Sequence, residues 1–78
     1  MSTAEKTLDK MRRDPRDWRI GDVIAVARKY NLLMRAEGGS HHIFSFPGIK
    51  ESVSVPAHKP IKAIYIKQFV ELIDKSKR

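Results

Sequence analysis

The sequence predicts a small α+β domain in the order helix, strand, strand, strand, helix. Its three-stranded antiparallel sheet carries two helices on one face, and a short helical extension precedes it. Three observations lead there. Two segments repeat apolar residues at helical spacing: Ile20, Val23, Ile24 and Ala27, then Ile66, Phe69, Val70 and Ile73. Between them lie three short strand-like runs, separated by Gly38-Gly39 and Pro47-Gly48. Connections this short make antiparallel hairpins. Finally, 78 residues leave room for one domain. Placing both helical stripes on the same face of the sheet is the simplest way to bury them. The other face is then left to solvent.

Residues 1–16 read as an N-terminal extension, and residues 17–78 as the domain. In the extension, Ser2 and Glu5 have the spacing of a capping box. Ala4, Leu8 and Met11 form a thin helical stripe that Asp14-Pro15 ends. This short helix either packs on the domain or frays. The domain opens with Trp18, expected to cap the core. Its first helix has Asp22 in the first turn and Arg28-Lys29 in the last, which suits the helix dipole. Asn31 stops it. The strands are expected at Leu32–Ala36, His41–Phe46 and Glu51–Val55. In the last of these, Val53 and Val55 share one face and Ser52 and Ser54 the other, and Pro56 ends the run. The final helix covers about Ile64 to Lys75.

The charge narrows the choice of partner. Sixteen Lys and Arg against nine Asp and Glu give a formal net charge of +7. Such an excess favours a polyanion, above all nucleic acid. There is no cysteine, so neither disulfides nor thiolate metal sites contribute. No apolar run has the length of a membrane span, and no signal-peptide core is present. The expected location is the cytoplasm.

The richest run is Gly38-Gly39-Ser40-His41-His42-Ile43-Phe44. Glycine lets backbone approach a ligand closely, and histidine exchanges protons near neutral pH. Strand alternation sets His42, Phe44 and Phe46 on one face and His41, Ile43 and Ser45 on the other. The face with two phenylalanines is the core face. His41 is therefore expected on the open face and His42 on the core side. His58 lies in a loop bounded by Pro56 and Pro60, where it can flank a phosphate site with Lys59 and Lys62. Adjacent strand histidines diverge and do not share an ion, so no metal is expected. Ser40 lacks a nucleophile elbow. Gly38-Gly39 lacks the Gly-Lys-Ser/Thr ending of a P-loop.

Gly38-Gly39-Ser40-His41, the aromatic Phe44 three residues on, Pro47-Gly48, Val55-Pro56-Ala57-His58 and the helical Ile66-Lys67-Gln68-Phe69 together resemble HicA-type toxins. These are bacterial mRNA interferases of toxin–antitoxin pairs. The likeness runs from Arg13 to Asp74, and Asp14-Pro15-Arg16-Asp17-Trp18-Arg19-Ile20 resembles the entry of one subgroup. It implies a double-stranded-RNA-binding-domain-like fold and ribonuclease activity on mRNA. It also implies an essential histidine at His41, and a HicB-type antitoxin that covers the active face. The chain departs from the family at Ala63, where proline is expected.

On this reading RNA supplies its own nucleophile, the 2′-hydroxyl. His41 acts as general base or acid, with His42 and His58 as secondary candidates. Arg35, Lys59 and Lys62 are the cations expected to stabilise phosphate charge. Gly39, Ser40 and Lys50 complete the expected RNA contacts. No cofactor or metal is called for. The chief alternative is a non-catalytic RNA-binding module of the same fold, and a second is a basic face that recognises an acidic protein.

Overall fold

In the computed structural model, which describes residues 3–57 and 60–76, both helical stripes lie in helices. The chain runs α1 (Thr3–Arg13), α2 (Ile20–Lys29), β1 (Leu33–Glu37), β2 (His41–Ser45), β3 (Ser52–Pro56) and α3 (Ala63–Ser76). The strands form an antiparallel sheet in the order β1-β2-β3. The architecture is thus small α+β with an open three-stranded sheet.

Alternation decides what the sheet buries. Met34, Phe44 and Val53 are register partners, as are Ala36, His42 and Val55, so all six share one face. Phe44 and Val55 are fully buried there, and Phe44 meets Phe69 of α3 edge to face at 5.3 Å between ring centroids. Such pairs add about 0.5–1.5 kcal/mol beyond the area they bury. Ile66, Phe69, Val70 and Ile73 all enter the same core. Met34 and Ala36 stay exposed although they are on this face. The helices therefore cover β2 and β3 and leave the edge strand β1 largely open.

The extension packs rather than frays. Leu8 and Met11 of α1 are 1% and 0% exposed and join the one core cluster. Arg12 binds Asp9 at 2.7 Å and Asp74 of α3 at 2.6 Å. The hydrogen bond to Asp74 is the main reason the Arg12 pKa is raised. The pairs are about 40% exposed, and exposed pairs contribute at most about 1 kcal/mol. Burial of Leu8 and Met11 therefore does more than the ion pairs to hold α1 in place. Ser2, the expected cap, lies outside the described residues.

The turn into the domain is held by backbone. The Trp18 indole N–H donates to the Asp14 carbonyl at 2.7 Å, and the Ile61 amide donates to the Trp18 carbonyl at 2.8 Å. Trp18 packs half-buried against the core, as expected of a cap. Arg16 bonds Asp14 at 2.9 Å and holds that carboxyl below the usual carboxylate range. In the first turn of α2, Asp22 accepts the Arg19 amide at 3.1 Å.

The end of α2 explains a shifted strand. Asn31 takes φ = 60°, and the amides of Asn31 and Leu32 donate to the carbonyls of Arg28 and Ala27. This is a Schellman motif with asparagine at the left-handed position. It draws Leu32 into the helix stop and the core, so β1 starts at Leu33 and not Leu32. The other strands and α3 agree with expectation to within one residue at each end. No helix among the described residues is long and apolar enough to cross a membrane.

Candidate active site

β1 and β2 are joined through Gly38, Gly39 and Ser40. Gly38 and Gly39 have φ of +64° and +76°, a region where a side chain is strained. A Cβ at either position meets nothing within 4 Å. Backbone conformation therefore selects glycine here, and the space over the turn is open. The Ala57 amide donates to the Ser40 carbonyl at 2.7 Å. That bond ties the turn to the end of β3.

His41 begins β2 at this tied corner and is exposed. Its Nδ1 lies 3.3 Å from Ser40 Oγ. A serine hydroxyl can donate or accept. Where Nδ1–H donates to Ser40, Nε2 of the neutral ring is unprotonated and can act as a base, and once both nitrogens are protonated Nε2–H can act as an acid. Where Ser40 donates instead, the ring is the neutral Nε2–H tautomer and offers only a hydrogen bond. The first arrangement supports both halves of proton-transfer chemistry.

The register places other groups around it. His41 is opposite Glu37 on β1 and Pro56 on β3. Arg35 and Ser54 are its diagonal neighbours on the same face, at the usual diagonal spacing of about 7–8 Å. Ile43 and Ser52 extend the open face along the strands. Gly39, Ser40, His41 and Arg35 are thus brought together, with Ser54 beside them. The hydroxyl row Ser52 and Ser54 is visible in the sequence as the polar half of the β3 alternation.

Lys50 is elsewhere. It follows the far end of β2, and four residues of strand alone span about 14 Å. There it lines an open groove of about 430 Å³ with Leu33, Arg35, Ile43, Phe46 and Ile49. Leu33 is 56% exposed at this groove. The sequence gives no sign that the Pro47-Gly48 turn would build it, because a turn's path over the sheet is not a matter of periodicity. Lys62 is exposed and follows Ile61, whose amide is bonded to Trp18.

His42 points the other way. It is half-buried on the core face and stacks with Phe44 at 6.5 Å and 18° between rings. Its Nδ1 is buried without a hydrogen-bond partner. His58 and Lys59 lie outside the described residues. Among the described residues no three His, Asp or Glu side chains are grouped to hold a metal ion. Compared with family models, curated proteins and solved structures, the chain matches none of them.

Proposed function

We propose that this chain is an endoribonuclease toxin of the HicA type, acting on mRNA in the cytoplasm and restrained by a HicB-type antitoxin. The observation that carries the reading is His41 itself. It is exposed at a glycine turn, its Nδ1 is 3.3 Å from Ser40 Oγ, and the chain around it bears a net charge of +7. The ordered run of motifs from Gly38 to Phe69 supports it further, as does an element order that agrees with a double-stranded-RNA-binding-domain-like fold once α1 is set aside.

In this scheme the RNA backbone lies over the open Gly38-Gly39 turn. His41 assists transfer of the 2′-hydroxyl proton, the 2′-oxygen attacks the adjacent phosphorus, and the P–O5′ bond breaks. The departing 5′-oxygen takes up a proton. The products carry a 2′,3′-cyclic phosphate and a 5′-hydroxyl. A positioned proton-transfer group contributes about 10²–10⁴-fold in rate. Arg35 on the same face, with Lys59 and Lys62 from the sequence between β3 and α3, offsets the phosphate charge. Ser54, diagonal to His41, adds a hydroxyl for a phosphate oxygen. Lys50 acts away from the reacting phosphate, on the flanking backbone. His42 supports the fold rather than the chemistry. His58 is the remaining candidate for a second proton-transfer group.

The test is induced expression of wild type and His41→Ala, with growth and RNA integrity followed in the same cultures. The toxin reading expects arrest and mRNA loss with wild type, and neither with a soluble His41→Ala protein. Equal behaviour of the two proteins contradicts the assignment of His41.

A further inference from the structure

The turn between α1 and α2 forms a second basic surface that the chemistry at His41 does not use. An open pocket of about 440 Å³ is lined by Lys10, Arg13, Asp14, Arg16 and Trp18. Lys10, Arg13 and Arg16 are all exposed. Asp14 is paired with Arg16 at 2.9 Å, so its charge is offset inside the pocket. The basic last turn of α1 suits its own helix dipole. That accounts for Lys10 and Arg13, but not for a half-exposed tryptophan between them and Arg16.

Trp18 is held in place. Its indole N–H is already bonded to the Asp14 carbonyl, and its backbone carbonyl accepts the Ile61 amide. The ring therefore needs no further polar partner, and what it offers the pocket is carbon surface. A fixed aromatic face beside cations is the combination that single-stranded nucleic acid uses, the base stacking on the ring and the phosphates meeting the cations.

The pocket is also connected to the His41 corner. The Ala57 amide is bonded to the Ser40 carbonyl, and the Ile61 amide to the Trp18 carbonyl. From Ala57 to Ile61 the chain extends at most about 14 Å.

We propose that this pocket is a subsite for single-stranded RNA. It stacks a base of the substrate on Trp18 and holds the flanking phosphates with Lys10 and Arg13, a few nucleotides from the phosphate at His41. The inference rests on the ribonuclease reading and adds where the substrate strand runs.

Trp18 is the one tryptophan of the chain, so its fluorescence reports the pocket directly. The experiment titrates the full chain with non-cleavable 2′-O-methyl RNA of about 4 and about 12 nucleotides, a range typical of single-strand sites. Polyglutamate of matched charge serves as control. The same titrations over a salt series compare wild type with the Lys10→Ala, Arg13→Ala double variant, whose changes are both on the surface. The subsite predicts that the longer RNA quenches Trp18 and polyglutamate does not. It also predicts that the double variant lowers the slope of log affinity against log salt by about 1.4, at about 0.7 per phosphate contact. RNA that binds without quenching and with an unchanged slope overturns the subsite and leaves the ribonuclease reading intact. Equal quenching by polyglutamate overturns it in favour of an acidic protein partner. Failure to bind or cleave RNA of any length overturns both.

Discussion

Neighbouring histidines receive opposite environments from one strand. His41 stands exposed beside Ser40, and His42 stacks on Phe44 with a buried, unpartnered Nδ1. The expected effects of substitution diverge accordingly. His41→Ala lowers RNA cleavage by about 10²–10⁴-fold with little change in thermal stability, since the side chain packs against little. His42→Phe keeps cleavage and stays within about 1.5 kcal/mol of wild-type stability, because it retains the stack and removes an unsatisfied polar atom. Denaturant unfolding and a cleavage assay on both variants check this, and a His42→Phe protein that folds but does not cleave contradicts the division of roles. The two orientations are legible in the sequence from period-two alternation and the phenylalanines at 44 and 46. The Ser40–His41 contact is not, because a χ angle beside a left-handed turn leaves no mark on periodicity.

At the scale of elements, α1 is the instructive case. In the sequence it is a thin stripe before Asp14-Pro15, equally compatible with packing and fraying. Leu8 and Met11 are nonetheless among the best-buried side chains, since α1 packs against both α2 and α3. Met11→Ala is expected to cost about 2–5 kcal/mol, which denaturant titration reads as a lowered midpoint at constant slope. A cost below about 0.5 kcal/mol, the size of an ordinary surface change, contradicts the packing of α1. At the start of α3, Ala63 occupies the first helical position, where proline is preferred and its missing N–H is harmless. Ala63→Pro is expected to stabilise by about 0.4–1 kcal/mol through the unfolded chain, read as a raised melting temperature; destabilisation contradicts that placement. The helical stripes and the β3 alternation are legible because burial on one face imposes a period. The Asn31 stop is legible as a residue type, but its capture of Leu32 follows from hydrogen bonds that only the folded turn makes.

The molecule as a whole combines a small core, an open sheet face and a charge of +7. In the sequence, the charge and the Gly-Ser-His turn are what raise the expectation of RNA. The Trp18 pocket and the groove beside the Pro47-Gly48 turn do not show themselves there, because each joins residues that only tertiary packing brings together. The most direct test of the central claim is incubation of the purified chain, in chelator, with single-stranded RNA, followed by identification of the product ends. The account predicts 2′,3′-cyclic phosphate and 5′-hydroxyl termini, formed by wild type and not by His41→Ala. Products bearing a 5′-phosphate that form only when magnesium is supplied, or equal cleavage by both proteins, contradict it.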